Sequence, residues 1–302
     1  MDTYLGADIG GTELKLGLLD TQGNILRQEN VSVAFDGYHT PILTSVTTAV
    51  TDFLRRLDTA PKGIGVSSTG AIDRESGTII GSWLPGWEGS RVVDTLQAAT
   101  GLPVTIENDG SCMCLGERWI GAGAGHRDLL CLTIGTGIGA SAILNGQLLS
   151  GTHGMGMEAG HMVTHRGGIP CTCGRQGCWE RYASTSALVQ QAQSAGLAVD
   201  NGKEILSLVT AGDSTAMAVY DHWLDELAEG IRDLIFLFDP GCILIGGGIA
   251  AAGDALFVPL REKLTRGLLQ AHYGGFELKP AALGNTAGMI GAVWDHLQRG
   301  CA

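Results

Sequence analysis

Apolar and polar residues alternate in two stretches of the chain, each interrupted by a glycine-rich turn. Residues 4–9 and 14–19 flank Gly10-Gly11-Thr12, and residues 129–134 and 140–144 flank the turn at 135–139. A period of two is typical of half-buried strands, so each stretch predicts a strand, a turn and a second strand. Because the plan occurs twice, it indicates two related lobes.

Helical periodicity appears between and after these stretches. It predicts helices over 41–57, 110–119, 184–195, 215–238 and 284–297, and short apolar runs predict buried strands over 63–68, 104–107 and 242–245. The alternation of strands and helices predicts an α/β protein. A chain of 302 residues reaches the size at which cores divide. We expect residues 1–118 with 285–302 to form a smaller N-terminal lobe and 119–284 a larger C-terminal lobe.

The overall composition argues against several classes of function. Hydrophobic residues make up 44% of the chain and the formal net charge is −12. Nucleic-acid binders usually present a basic surface, so an acidic chain disfavours that role. The N-terminus shows no basic, apolar leader, and glycines interrupt the longest uncharged run. The sequence therefore predicts a cytoplasmic protein without a membrane or nucleic-acid partner.

Three glycine turns at predicted strand ends are candidate phosphate or nucleotide sites, since glycine lets backbone N–H groups approach an anion closely. The first follows Asp8 and comprises Gly10, Gly11 and Thr12, although an ordinary hairpin explains this motif equally well. A strand follows the second where a dinucleotide-binding motif requires a helix, which argues against NAD. The candidates in the second and third turns are Gly135, Thr136, Gly137, Gly139, Gly246, Gly247 and Gly248.

Two polar residues, Asn108 and Asp109, lie where a predicted strand meets a helix. Either side chain has a structural explanation as the N-cap of that helix. Alternatively, a carboxylate at the carboxyl end of a strand is well placed to act as a general base toward a hydroxyl group. The sequence leaves both interpretations of Asp109 open.

A cluster of cysteines predicts a metal site. Cys171, Cys173 and Cys178 follow His161 closely, and three thiolates with one imidazole match a tetrahedral zinc site. Four protein ligands leave no open position, so the zinc would be structural. On spacing alone, His153 and His165 compete with His161 as the fourth ligand.

Taken together, these motifs resemble the ROK family of sugar kinases, within the actin and hexokinase-like superfamily. The resemblance extends over nearly the whole chain and is carried by Asp8–Thr12, Glu107–Asp109, Gly135–Gly139, Glu158–His161, Cys171–Glu180 and Asp239-Pro240 before Ile245–Gly248. It implies a two-lobed, ribonuclease H-like fold with the active site in the cleft between the lobes. It also implies a homodimer.

The resemblance further implies transfer of phosphate from ATP, with Mg²⁺, to the 6-hydroxyl of a hexose-type sugar. Asp109 matches the catalytic base of the family and Asp8 the residue that faces magnesium, while the glycine turns would hold ATP. Asp109 and four further residues match the sugar-contacting positions, namely Asn108, Glu158, His161 and Glu180. His161 would then bind zinc through one ring nitrogen and a sugar hydroxyl through the other.

The identity of the sugar remains open at this level. Ser68-Thr69-Gly70 and Gly110 look more like N-acetylmannosamine kinases, whereas Leu84-Pro85-Gly86-Trp87 looks like a loop that closes near the sugar in glucokinases. Glucose and N-acetylmannosamine are therefore the leading candidates, with N-acetylglucosamine, allose and β-glucosides as alternatives. The remote alternatives are a sugar-responsive regulator, for which no DNA-binding segment precedes the first turn, and a non-catalytic sugar binder.

Overall fold

The computed structural model describes residues 1–34, 36–272 and 275–300, and it divides into two compact units. The first unit comprises Met1–Gly125, Leu148–Gly156 and Leu283–Ala302, and the second comprises His126–Gln147 and Met157–Ala282. Cys301 and Ala302, which the sequence analysis assigns to the first lobe, lie outside the described residues. Each unit contains a sheet and several helices, as expected for an α/β protein.

The N-terminal part of the chain forms a five-stranded sheet and a separate hairpin. Its elements are β1 (Thr3–Ile9), β2 (Glu13–Asp20), β3 (Ile25–Ser32), α1 (Ile42–Arg55), β4 (Ile64–Ser68), β5 (Ala71–Asp73), β6 (Thr78–Gly81), α2 (Val92–Thr100), β7 (Val104–Asn108) and α3 (Asp109–Ile120). The sheet order is β3-β2-β1-β4-β7. Strands β1 to β3 are antiparallel, and β4 and β7 continue the sheet parallel to β1. Strands β5 and β6 form a separate two-stranded sheet.

The second unit repeats this arrangement of strands. Its elements are β8 (Leu129–Ile134), β9 (Ile138–Leu144), β10 (Gln147–Leu148), α4 (Glu180–Ala183), α5 (Thr185–Ser194), α6 (Gly202–Thr210), α7 (Ser214–Phe238), β11 (Cys242–Gly246), α8 (Asp254–Gly267) and β12 (Glu277–Pro280). The sheet order is β10-β9-β8-β11-β12, with β8 and β9 antiparallel and β11 and β12 parallel to β8. Both predicted hairpins are therefore present, each continued by parallel strands.

The last helix, α9 (Ala287–Gly300), packs on the sheet of the first unit. Met289, Ile290 and Val293 are fully buried in one cluster with Leu19 of β2. Gly65 in β4 faces the backbone of α9, and a Cβ at this position would overlap Ala292. The close approach of helix and sheet therefore requires glycine here.

The predicted helices and strands are all present, and the structure contains further elements that the sequence analysis did not predict. These are β3, β5, β6, β10, α2, α4, α6, α8 and β12. Edge strand β3 is only half-buried at alternate positions, and α8 contains Pro259, a residue that usually ends a helix. Among the described residues, none of the helices has both the length and the apolarity needed to cross a bilayer.

Candidate active site and metal cluster

Asp8, at the end of β1, is held by side chains from both neighbouring strands. Lys15 lies directly opposite it on β2 and Ser67 on β4. The Nζ of Lys15 is 3.2 Å from one carboxylate oxygen, and the Oγ of Ser67 donates a hydrogen bond to the other at 2.6 Å. Strand register therefore fixes the orientation of this carboxylate, which the sequence analysis assigned to magnesium.

The turn that follows Asp8 is fixed by hydrogen bonds from outside it. The N–H of Gly10 donates to the carbonyl of Glu13 at 2.9 Å, and the Tyr38 hydroxyl donates to the carbonyl of Gly11 at 2.7 Å. The carbonyl of Thr12 accepts the N–H of Val33 at 2.9 Å. The turn is therefore part of the hairpin and is also tied to the chain beyond β3.

The sequence left open whether Asn108 or Asp109 caps helix α3, and in the structure Asn108 is the cap. Asn108 is the N-cap of α3, and its Oδ1 accepts the N–H groups of Gly110 at 2.9 Å and Ser111 at 3.3 Å. Its Nδ2 donates to the carbonyl of Gly70 at 3.1 Å. Since Asn108 caps the helix, the carboxylate of Asp109 is not needed for that purpose.

The environment of Asp109 favours a stronger base than an ordinary aspartate. The residue retains an exposed surface, yet protein atoms crowd its carboxylate, and this desolvation is the main cause that raises its pKa. The N–H of Gly110, 2.9 Å away, opposes the rise, and the negative charge of Asp8 adds to it. A raised pKa moves a carboxylate toward the range in which general bases work well.

A buried group of charges supports the backbone at this point, and sequence reasoning missed it. Glu107 is 2% exposed, and its Oε1 accepts the N–H of Asn108 at 2.9 Å. Its Oε2 lies 2.7 Å from the Nε of Arg74 and 3.3 Å from Arg299, which also pairs with Asp295 at 2.8 Å. Burial raises the pKa of Glu107 and the two guanidinium groups oppose that rise.

The predicted metal ligands of the second unit lie together. The ligand atoms of His161, Cys171, Cys173 and Cys178 are all within 4.8 Å of one another. The Sγ atoms of Cys173 and Cys178 are 3.6 Å apart. Ligands at about 2.3 Å from a tetrahedral zinc lie about 3.8 Å apart, so this donor set fits zinc in both chemistry and spacing.

The competing histidines have other surroundings. The Nε2 of His165 lies 3.4 Å from Glu226, and its ring stacks on Tyr182 at 3.9 Å between centroids. His153 is exposed and belongs to the first unit. The Nδ1 of His161, in contrast, is 3.7 Å from the Sγ of Cys171. The geometry therefore favours His161 over both alternatives.

The two glutamates that are predicted to contact the sugar lie close in sequence to the metal ligands: Glu158 precedes His161, and Glu180 follows Cys178. Glu180 begins α4 directly after Cys178-Trp179, and its Oε1 lies 3.5 Å from the Nδ1 of His161 and 3.1 Å from the Sγ of Cys171. Glu158 is exposed and precedes a short 3₁₀ helix, Ala159–His161. The cluster thus fixes the segments that carry both carboxylates.

A cavity of about 550 Å³ in the second unit brings two of the predicted glycine turns together. Gly135, Thr136 and Gly248 line it. The other predicted glycines face protein atoms instead: Gly137 faces Glu180, Gly139 faces Thr133 and Gly247 faces Ile134. Gly246 is the last residue of β11. Sequence reasoning missed the rest of the lining, which comes from α5 and from the start of α6 with the residues before it. It includes Thr185, Ser186, Val189, Gln190, Gln193, Asp200, Asn201 and Gly202.

Thr185 links this cavity to the second turn. Its N–H donates to the carbonyl of Gly135 at 2.9 Å. Its Oγ1 is buried and has no hydrogen-bond partner among the described residues. An unpaired buried hydroxyl beside glycine backbone is suited to a ligand rich in acceptors, and the phosphates of a nucleotide meet that requirement.

The loop that the sequence analysis compared with glucokinases contains a core residue, Trp87. This side chain is completely buried, and its Nε1 donates to the Oγ of Ser68 at 3.1 Å. Trp87 is therefore a core residue of the first unit. It supports the end of β4, and its ring cannot itself close over a sugar.

Comparison with known proteins shows similarity along almost the entire chain. Residues 4–298 match the ROK family. A glucokinase of Thermotoga maritima is 33% identical over 305 residues, covering 96% of this chain and 95% of the relative.

Two solved structures extend this similarity to the fold. A ROK family glucokinase from Streptomyces griseus, in complex with glucose and AMPPNP, has a TM-score of 0.77 at 31% identity and covers 96% of this chain and 97% of its own. A putative N-acetylmannosamine kinase from Listeria monocytogenes has a TM-score of 0.84 at 30% identity, and the match covers 99% of both chains.

Proposed function

Because this chain belongs to the ROK family and has the actin and hexokinase-like fold of ROK sugar kinases, we propose that it transfers phosphate from ATP to the 6-hydroxyl of a hexose-type sugar. The observation that carries the proposal is the state of Asp109, a residue with exposed surface and a raised carboxyl pKa, whose helix is already capped by Asn108. Such a carboxylate is free to accept a proton from a hydroxyl.

The first unit would supply the groups that act on the reacting atoms. Asp109 would take the proton of the attacking hydroxyl. Asp8, oriented by Lys15 and Ser67, would hold magnesium, which neutralises phosphate charge when bound. In phosphoryl transfer, positioning and charge neutralisation supply most of the rate, so a rigid carboxylate pair suits this chemistry. The backbone of Gly10, Gly11 and Thr12 would face the phosphates.

The second unit would supply the nucleotide pocket and the sugar ligands. The cavity lined by Gly135, Thr136 and Gly248 fits an adenosine, and the unpaired hydroxyl of Thr185 offers a donor to its phosphates. Zinc held by the Cys3His cluster would be structural. It would fix the Nδ1 side of His161 and leave Nε2 for a sugar hydroxyl, with Glu158 and Glu180 as further sugar ligands.

A coupled ADP-release screen tests the activity and the substrate. It should include glucose, mannose, allose, N-acetylmannosamine, N-acetylglucosamine and a β-glucoside. We expect turnover with glucose or N-acetylmannosamine and phosphate on O6, because a site built to pair hydroxyl groups rejects analogues that lack them by large factors. Activity confined to non-sugar alcohols, or phosphate on the anomeric oxygen, would contradict the proposal. Sugar binding without turnover would indicate a non-catalytic binder instead.

Two further proposals rest on family membership alone. We expect a homodimer, to be tested by light scattering, and a monomer at micromolar concentration would contradict it. We also expect a cytoplasmic location, where ATP is supplied. Neither proposal affects the assignment of the catalytic groups.

A further inference from the structure

One tryptophan of this protein is exposed in a way that the others are not. Trp83, between β6 and α2, is 74% exposed, whereas Trp87, Trp179 and Trp223 are completely buried. Exposed apolar surface costs about 25 cal/mol per Å², and an aromatic side chain can bury about 150–250 Å². A large ring left in solvent is therefore unfavourable for the isolated chain and favourable for a ligand that covers it.

The exposed ring lies against the first glycine turn. A Cβ placed on Gly11 would lie 2.8 Å from the Cη2 atom of Trp83, so the tip of the indole rests directly on the turn. Tyr38 binds the carbonyl of the same glycine. The ring is thus anchored at its tip by a fixed piece of backbone, while most of its surface remains accessible.

Ser82, the residue before Trp83, is connected to the proposed base through Gly70 and Asn108. A Cβ on Gly70 would lie 3.4 Å from the Cβ of Ser82. The carbonyl of Gly70 accepts the hydrogen bond from the side chain of Asn108, which precedes Asp109. Trp83 therefore lies in the first unit between the glycine turn and the residues that contact Asn108, the neighbour of Asp109.

We propose that Trp83 is a stacking platform for the apolar C–H face of the hexose acceptor, and so a specificity-determining residue. This inference rests on the proposed kinase function and deepens it. Adenine is the other planar or apolar group in the reaction, but the cavity that fits a nucleoside is formed by Gly135, Thr136 and Gly248 of the second unit. The acceptor-binding residue Asn108 shares the first unit with Trp83.

Iodide quenching of tryptophan fluorescence tests the platform without relying on turnover. In the wild type, iodide should quench an accessible component, and Trp83→Phe should remove that component. D-glucose, with N-acetylmannosamine in parallel, should protect the component, whereas ATP alone should not. Protection by ATP but by neither sugar would overturn the proposal in favour of a nucleotide contact.

Kinetics provide the second readout. Trp83→Ala should raise the KM of the sugar about two- to tenfold with the KM of ATP unchanged, since a stacking contact contributes about 0.5–1.5 kcal/mol. Ile80→Ala is the matched control, because Ile80 is 49% exposed on β6, three residues away. Equal effects of the two variants would contradict a specific platform.

The two readouts also separate this inference from the kinase proposal. Protection by sugar without phosphoryl transfer would leave the platform standing and remove the kinase function. Turnover of a sugar that leaves iodide quenching unchanged would do the reverse. Absence of both protection and turnover with every sugar tested would overturn both.

Discussion

The two glycine turns share one local plan but lie in different surroundings. Each joins the strands of an antiparallel hairpin that parallel strands extend into a sheet. Gly11 lies under Trp83 and binds Tyr38 through its carbonyl, so a Cβ there would displace the exposed indole ring. Gly135 has no atom within 4 Å of a Cβ and borders a cavity. Two turns with similar sequences therefore have different surroundings, and the residues packed around each turn, rather than the motif, indicate its role.

The chemical groups next to the two turns also differ. The first turn is accompanied by Asp8 and Asp109, ionisable groups whose mutual repulsion helps to raise the pKa of Asp109. The second is accompanied by Glu180, which touches His161 and Cys171 of the metal cluster. This contrast suggests that the first region moves the proton and neutralises charge, whereas the second holds substrates in place.

The largest expected effect is on the proton-transferring side. Asp109→Asn keeps the shape of the side chain but removes the base, so kcat should fall about 10²- to 10⁴-fold with a smaller change in sugar affinity. Asp52→Asn is the control, since the Asp52 carboxylate forms an exposed pair with Arg55 on α1. Steady-state kinetics decide the matter, and a near wild-type rate for Asp109→Asn would remove this residue from the mechanism.

In the region of the second turn, loss of a metal ligand should weaken the binding of both metal and sugar. Cys173→Ser should reduce zinc affinity by more than the roughly 10- to 100-fold that loss of an outer-shell partner costs. Sugar affinity should fall with it, because the cluster fixes His161 and Glu180. His165→Ala is the control, since His165 pairs with Glu226 instead. Retention of one zinc per chain in Cys173→Ser, by metal analysis, is the contrary outcome.

Two glycines of the second turn provide a finer test. A Cβ on Gly137 would lie 2.5 Å from the Oε2 of Glu180, whereas a Cβ on Gly135 meets no atom within 4 Å. Gly137→Ala should therefore displace Glu180 and raise the KM of the sugar. The expected rise is about tenfold or more, the cost of a hydrogen bond to a charged group. Gly135→Ala should act only on the KM of ATP, and equal effects on both substrates would break the distinction.

Local spacing was sufficient to predict some of these features. The metal cysteines lie within one short loop, and both hairpins show their alternation directly in the sequence. The fourth metal ligand was left open because three histidines have similar spacing. The structure distinguishes them, because His161 lies beside Cys171 whereas His165 packs on Tyr182 and Glu226.

Other features depend on contacts that no local pattern records. Glu107 is supported by Arg74, next to the β5–β6 turn, and by Arg299 of the last helix, residues far apart in sequence. Trp83 and Trp87 lie four positions apart in one loop, yet one is exposed and the other is completely buried. The sequence analysis singled out the loop from Leu84 to Trp87 as a whole, and the three-dimensional packing was needed to distinguish the exposed ring from the buried one.

The smallest expected effect concerns stability at the proposed base. Desolvation raises the pKa of Asp109, so the folded chain binds this proton more tightly than the unfolded chain does. The ionised carboxylate therefore destabilises the fold above its folded pKa, and the penalty disappears as pH falls through that value. Asparagine cannot ionise, so Asp109→Asn should unfold at a slightly higher temperature than the wild type at neutral pH and lose this advantage in acid.

The raised pKa of Asp109 should also appear in the pH dependence of catalysis. As pH falls, kcat/KM of the wild type should decline at a pH above about 3.9, the usual value for aspartate, because the base becomes protonated earlier. Thermal unfolding of Asp109→Asn and of the control Asp52→Asn across the same pH range completes the test. A more stable but inactive Asp109→Asn is typical of a site where function costs stability. If this variant is instead less stable at neutral pH, the hydrogen bond from Gly110 outweighs desolvation, and the carboxylate is a structural group.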